Sequence, residues 1–406
     1  MRHRAFALTC SVKPFSALRR WKQSVEEYVR ELLYHPPKDK KAACVAFVFR
    51  ALSIVFGGIV FSREKLYKNR LLKDHPLGCR VIVVGNLTVG GTGKTPVVEK
   101  LARLLQKQGR KTAILSRGYK SKAEPWWKKS WHWLVHADPC PPKVVSDGVR
   151  CLLPYEKAGD EPLLLAKNLP GVCVVVDKDR VKAGWYAIEK FGCDLLLLDD
   201  GFQYFRLKGA SYIVLIDATN PFGNGHMLPR GILREPMNRL RRAQFIVFTK
   251  SDRVAAADLE NLEQRVRCHN EYAPIFFCKH VPKYLQAVNG TDRFELSSLN
   301  GRRVAALSGI ASPRSFEQSL EDNGAQVVYM KHFLDHHGYS EGDLIEFFAE
   351  AKHVGVECVI TTEKDAVRIS ETSFELPFYF LRMEIEWMGG EDPFERILEQ
   401  LSVRTA

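Results

Sequence analysis

The ten cysteines of the chain include no C-x-x-C pair and no Cys/His cluster. That excludes a disulfide framework or a structural zinc site as the basis of the fold, and fits a reduced cytosolic setting. The opening residues, MRHRAFALTCSV, hold only a short apolar run and no clear cleavage site, so no cleaved signal peptide is read. No internal repeat is present, which excludes a solenoid or propeller. Composition is ordinary for a globular protein, which excludes wholesale disorder. Acidic residues are scarce at one end. Residues 1–75 hold 16 Lys/Arg against 6 Asp/Glu, about three quarters of the excess behind the net charge of +13. A basic end of this kind points to anionic lipid or nucleic acid. No nucleic-acid recognition motif accompanies it, and the basic residues flank an apolar segment, so no nucleic-acid partner is expected.

What is present begins with helical patterning. Phe15, Leu18, Trp21, Val25, Tyr28, Val29, Leu32 and Leu33 recur at helical spacing, and HPPKDKK (35–41) ends that pattern. AACVAFVFRALSIVFGGIVF, residues 42–61, follows with Arg50 near its middle. Its length just suffices to span a bilayer. A central arginine costs about 2.5–3.5 kcal/mol on insertion scales, which favours a helix lying in or dipping into the interface over a span. A buried core helix is the third reading. EPWWKKSWHW (124–133) sets four tryptophans among cations. It reads either as a membrane-facing loop or as a packed insertion.

VIVVG (81–85), TAILS (112–116), VCVVVD (172–177), LLLLDD (195–200), YIVLID (212–217) and FIVFTK (245–250) are short apolar runs separated by helical stretches. They predict an α/β fold of P-loop NTPase type, a mostly parallel sheet with helices on both faces. With 406 residues the chain has room for more than this core. The expected division is a basic N-terminal extension (1–75) carrying a membrane-associated helix, a P-loop core (76–250), and a smaller C-terminal α/β lobe (251–406) closing over the active site.

The stretch GNLTVGGTGKT (85–95) sits between the first strand and the next helix, where a phosphate-binding loop belongs. Gly90, Gly91, Thr92 and Gly93 let backbone N–H groups turn toward phosphate oxygens. Lys94 can neutralise the β- and γ-phosphates, and Thr95 can place its hydroxyl on Mg²⁺. The usual first glycine is replaced by Thr88. LLLLDDG is a buried strand ending in two carboxylates, Asp199 and Asp200, the form of the acidic strand that holds or orients the metal. TKSD (249–252) resembles the base-reading motif of GTPases, but no switch region goes with it, so ATP is the expected nucleotide.

SRGY (116–119), AGDEP (158–162), DR (179–180), DDGFQY (199–204), FGNGHMLPRGILREP (222–236), DHHGY (335–339) and TEKDAV (362–367) complete a set that nucleotide binding alone does not require. Together with the loop, which in that family carries Ser or Thr where Thr88 stands, they resemble the tetraacyldisaccharide 4′-kinase family from about residue 42 to the C-terminus. The resemblance implies ATP-dependent phosphorylation of a tetraacylated glucosamine disaccharide 1-phosphate in lipid A biosynthesis. It further implies a cytoplasmic-face location at the inner membrane, on an anionic lipid surface. By the same resemblance, Thr88 to Thr95 would bind ATP, and Thr95, Asp199, Asp200 and Glu235 would serve Mg²⁺. Asp160 and His336 would pair to activate the sugar hydroxyl, an approach that would need the second lobe to close. Tyr119, Arg180, Gln203 and Arg234 would orient substrate or phosphate. The stretch from about 120 to 155 and the segment before residue 42 look longer than the family usually carries. The alternative reading is a P-loop ATPase or GTPase switch that delivers proteins or metals. Such relatives often carry a lysine just before G-G-x-G-K-T, where this chain has Val89.

Overall fold

The fold is that of a computed structural model, which describes residues 39–118, 141–369 and 374–389, together with Tyr28, Leu33 and Glu395. Apart from Tyr28 and Leu33, the helix expected over 15–33 lies outside the described residues, as do the tryptophan cluster at 124–133 and Tyr119.

Helix α1 (Lys40–Lys68) precedes strand β1 (Arg80–Asn86), which leads through the glycine-rich loop into helix α2 (Lys94–Lys107). Next come β2 (Thr112–Ser116), β3 (Lys143–Asp147), α3 (Asp160–Asn168), β4 (Cys173–Val176), α4 (Arg180–Phe191), β5 (Leu195–Asp199), β6 (Ser211–Asp217) and β7 (Phe245–Thr249). The C-terminal part adds α5 (Ala256–Arg267), β8 (Ile275–Ala287), β9 (Arg293–Phe294), β10 (Arg303–Ser308), α6 (Pro313–Glu321) and β11 (Gln326–His332). It ends with α7 (Glu341–Val354), β12 (Cys358–Thr362), the one-turn α8 (Glu363–Ala366) and β13 (Phe378–Met388).

Among the described residues these strands form one 13-stranded sheet in the order β11-β10-β12-β13-β8-β7-β6-β1-β5-β2-β4-β3, with β9 on β8. Only the β3–β4, β8–β9 and β8–β13 pairs are antiparallel. The mostly parallel sheet expected from the apolar runs is therefore the one observed. β1, β2 and β4 to β7 are largely buried on both sides, which is why they read as continuous apolar runs rather than alternating ones. Alternate residues of one strand point to opposite faces. Ile82, Val84, Ile114, Leu195 and Leu197 enter the core that α2 and α3 cover. Val81, Val83, Leu115, Leu196 and Leu198 enter the core that α4 covers. The C-terminal half repeats the device. Val304, Ala306 and Ile360 pack with Phe316 and Leu320 of α6, while Ala305, Leu307 and Val359 pack with Phe347 and Ala351 of α7.

Two compact units emerge. One contains α1 up to Arg63 with residues Phe222–Pro236, and the other contains Glu64–Pro221 with Met237 onward. In the first, Ser53 Oγ donates to the Met227 carbonyl at 2.9 Å. Helix α1 is long and apolar enough to cross a membrane by length and composition. Phe47, Val48, Ile54, Val55, Ile59 and Phe61 are exposed on it. In the second unit, Glu64 is buried at the foot of the helix, where it pairs with the buried Arg239 and lies 3.5 Å from Arg241.

β1 can lie against the β5 exit because residue 85 lacks a side chain. A Cβ on Gly85 would stand 2.6 Å from Phe202 Cβ and 2.9 Å from the Phe202 backbone nitrogen. Backbone cannot swing aside as a side-chain tip can. Gly85→Ala is expected to lower stability by about 1–3 kcal/mol, the usual cost of overpacking. A denaturant melt of that variant overlaying the parent curve would show that the two segments are not packed this closely.

Candidate active site

The parallel strands deliver their carboxyl ends to one edge of the sheet, where open α/β folds collect ligands. The glycine-rich loop leaves β1 there. Gly90 and Gly93 have φ of 115° and 77°, and Gly93 caps α2. Thr88 takes no positive φ, so the missing glycine costs the loop nothing in backbone conformation. Its hydroxyl accepts from Asn86 Nδ2 at 3.3 Å. Asn86 Oδ1 in turn accepts from Lys94 Nζ at 3.3 Å, and that ammonium also lies 3.6 Å from Asp200 Oδ1. Thr92 is buried, and Thr95 stands at the first turn of α2.

The loop is braced from two further strand ends. Thr249 Oγ1 donates to the Thr92 carbonyl at 3.1 Å, and Lys250 Nζ reaches the Gly91 carbonyl at 3.4 Å while pairing with Asp217. The TKSD stretch, weighed from sequence as a base reader, thus ties its Thr and Lys to the phosphate loop. The His280 ring of β8 fills the space beside Gly93, where a Cβ would meet it at 2.7 Å. Burial, with Lys250 second, lowers that imidazole to about pKa 4, so it is neutral at pH 7.

Asp199 ends β5 and is buried. Among the described residues its Oδ1 has no hydrogen-bond partner. Burial first, and then the charges of Glu161 and Asp200, push its pKa up to about 7 against the opposing Lys94 and Arg180. Asp200 follows at φ 54°. A buried carboxylate oxygen without a donor, in surroundings that disfavour its charge, suits a cation. Among the described residues no group of three or more His, Cys, Asp or Glu side chains converges as a closed metal cage. That fits Mg²⁺, which takes one or two carboxylates and completes its shell with phosphate oxygens and water.

Arg180 opens α4 and is buried. Nη1 donates to the Lys178 carbonyl at 3.0 Å, and the guanidinium stacks over Tyr204 at 5.0 Å. Burial lowers its pKa first and Arg117 adds to that, while Tyr204, Asp200 and Asp199 act to raise it. Gln203 Nε2 donates to the Asn86 carbonyl at 2.9 Å, so it touches the strand that feeds the loop. Arg234 and Glu235 belong to the compact unit of α1 and 222–236, where Glu235 is buried.

Asp160 and His336, 176 positions apart, meet with Oδ2 and Nδ1 separated by 2.6 Å. Both lie in the same compact unit. Asp160 is buried at the first position of α3, and His336 sits at φ 64°, a strained backbone for a non-glycine residue. Burial alone would raise the Asp160 pKa. The His336 hydrogen bond, followed by Lys364 and Arg368, overcomes that and holds it well below the carboxylate range.

The family model described as tetraacyldisaccharide-1-P 4′-kinase matches residues 45–402. The chain belongs to the tetraacyldisaccharide 4′-kinase family. Curated family members include one from Syntrophus aciditrophicus (strain SB), 38% identical over 386 residues, which covers 93% of this chain and 99% of the relative. One from Anaeromyxobacter dehalogenans (strain 2CP-C) is 41% identical over 339 residues, covering 83% of this chain and 85% of the relative. Among solved structures, the "apo" form of LpxK from Aquifex aeolicus in complex with ATP superposes with a TM-score of 0.65. It is 29% identical and covers 87% of this chain and 97% of its own.

Several side chains around the phosphate loop and the Asp160–His336 pair were not singled out from sequence. Asn86 and Glu161 lie inside quoted motifs beside residues that were. Lys364 and Arg368 lie in or directly after TEKDAV, a motif quoted without a role. Arg382 had no local signal at all. It is buried on β13, where it pairs with Glu99 of α2 and bonds Glu363 of α8 at 2.6 Å. Asn168 of α3 donates to the same two carboxylates at 3.2 and 2.8 Å. The network ties the nucleotide-loop helix to the helix that carries Asp160. Arg382→Met would leave the half-buried Glu363 without its cation and Glu99 with Arg103 alone. We expect a loss of about 1–3 kcal/mol in denaturant unfolding. A loss below about 1 kcal/mol would show that the network adds little.

Proposed function

We propose that this chain transfers the γ-phosphate of ATP to the 4′-hydroxyl of a tetraacylated glucosamine disaccharide 1-phosphate, a step of lipid A biosynthesis. The observation that carries this reading is the Asp160–His336 contact, set in the same compact unit as a complete phosphate-binding loop. A nucleotide switch needs the loop but has no use for a buried Asp–His pair.

Phosphoryl transfer is mostly positioning and charge stabilisation, with one group taking the hydroxyl proton. Lys94 and the loop N–H groups hold the phosphates in line. Thr95, Asp199 and Asp200 would hold Mg²⁺, which would supply neutralisation of phosphate charge. Arg180 places a further cation at the acidic strand end, on the side of the transferring group. Asp160 is ionised and can only accept, so His336 Nδ1 carries the hydrogen that joins them. Nε2 of the neutral imidazole then holds a lone pair and takes the proton of the sugar hydroxyl as it attacks. The imidazolium so formed is stabilised by the Asp160 carboxylate. Residues 76–250 supply the nucleotide side of the reaction, and residues 251–406 supply His336.

The acyl chains of such a substrate stay in a bilayer. We assign α1, with its exposed apolar residues and basic neighbours, to the anionic cytoplasmic face of the inner membrane. Replacing Phe47, Ile54 and Ile59 together by Ser is expected to release the protein from anionic vesicles by at least 100-fold in partition. About 1.5–3 kcal/mol accompanies burial of each such side chain. Unchanged flotation with vesicles would refute the assignment.

The catalytic reading is tested by phosphate transfer from labelled ATP to the disaccharide 1-phosphate in detergent micelles. Lys94→Ala and Asp160→Ala should each cost at least about 10²–10⁴-fold, the range for a removed acid–base or charge-stabilising group. ATP hydrolysis without transfer, surviving Asp160→Ala, would replace the kinase by a switch ATPase.

A further inference from the structure

The segment 362–368, T-E-K-D-A-V-R, borders the Asp160–His336 pair without a role in the reaction derived above. Its geometry is specific. The Arg368 side chain is fully buried. Nη2 donates to Asp160 Oδ2 at 2.5 Å, the same oxygen that receives His336 Nδ1. Nη1 donates to Asp365 Oδ1 at 2.9 Å and to the Gly309 carbonyl at 3.0 Å. Asp365 is itself fixed. Its Oδ2 accepts from the Gly309 N–H at 3.0 Å and from the Thr362 hydroxyl at 2.6 Å. The Gly309 carbonyl also accepts the backbone N–H of His336 at 3.2 Å. One buried scaffold, Thr362–Asp365–Gly309–Arg368, therefore holds both partners of the catalytic pair. It reaches His336 through the backbone and Asp160 through the guanidinium, whose Nη2 also lies 3.5 Å from His336 Nδ1.

We propose that Arg368, seated by Asp365, is a positioning residue for phosphoryl transfer, fixing the Asp160 carboxylate as an anion against His336. The proposal rests on the kinase reading given above. The planar fork matters because one nitrogen is committed to Asp365 and Gly309 while the other sets the direction of Asp160. The charge matters because Asp160 is buried, and a buried carboxylate without a cation reverts to its neutral form. The charged and titratable groups around it are Arg368, Lys364 at 3.8 Å and His336, with Tyr155 packed alongside. Glu161 follows in the chain, Asp335 lies 3.7 Å from His336 Nε2, and Asp365 faces Arg368. With Arg368 removed, only the partly exposed Lys364 offers a standing positive charge to Asp160 among the described residues.

The test is the pH–rate profile of transfer by the full-length protein in micelles, with folding checked by thermal melting. Arg368→Gln should lower kcat by about 10–100-fold with KM for ATP unchanged. It should also move the acid limb upward by about one pH unit or more, because the cation that opposes protonation of the coupled Asp160–His336 pair is lost. Arg368→Lys should keep the acid limb in place and recover part of kcat. Asp365→Asn removes the anion that offsets Arg368, so its acid limb should move the other way, to lower pH. A lowered kcat with the acid limb unmoved in Arg368→Gln and Asp365→Asn would mean a structural role only, and would overturn the proposal. Should Arg368→Gln fail to fold, Arg368→Lys and Asp365→Asn decide by the same criterion. If the parent protein transfers no phosphate, it is the kinase reading that fails. Normal transfer by the parent with acid limbs that do not move sinks this proposal alone.

Discussion

The site depends on the antiparallel pairing of β8 with β13. β8 is 13 residues long, so one part of it can pair in parallel with β7 while a longer part runs against β13. The register continues from Tyr379 opposite Ala287 to Met388 opposite Phe277. Every strand carrying the nucleotide loop and the acidic end lies on the β7 side of this joint. The strands leading to His336 and to 362–368 lie on the β13 side. Without the joint the chain would be two parallel sheets, and Asp160 and His336 would have no fixed relation. Arg382 adds a buried ionic tie at the same place, from β13 to α2 and α8.

Two carboxylates in this unit show how environment divides labour between identical groups. Asp199 is buried with an unpartnered oxygen and neighbouring negative charge, which pushes its pKa up. Asp160 is buried as deeply, but it holds His336 and Arg368, with Lys364 near, and its pKa goes down. The first environment asks for a cation, and the second already contains its cations and an imidazole. Pairs of titratable groups driven apart in this way are how acid–base and metal roles are told apart in an active site.

The sequence made much of this legible, and the reasons differ by element. The strands of the P-loop core were readable because parallel strands buried on both faces are uninterrupted apolar runs such as LLLLD and FIVFT. The later strands were harder. β8, IFFCKHVPKYLQA, mixes cations with apolar residues because much of it is only half buried, so it announces no period. The continuity of the sheet across residue 250 was for that reason not visible beforehand. Local motifs gave the phosphate loop and Asp199–Asp200. Asp160 and His336 came only with the family pattern, since nothing in GDEP or DHH alone says that they touch. Thr88 was accounted for by the family pattern, and its backbone angle gives the reason, since glycine is not needed there. Arg368 and Arg382 were invisible because an arginine satisfied by distant carboxylates looks, in sequence, like any surface cation.

The central claim is that Asp160 and His336 act as one unit, held by the joined sheet. A double-mutant cycle on kcat tests it most directly, with Asp160→Ala, His336→Ala and the double variant measured under one set of conditions. Groups that work as a unit are strongly non-additive. The double variant should be no more than about 10-fold slower than the slower single one. Additive losses, with the double variant falling by the product of the two, would show that the residues contribute independently and would contradict the account.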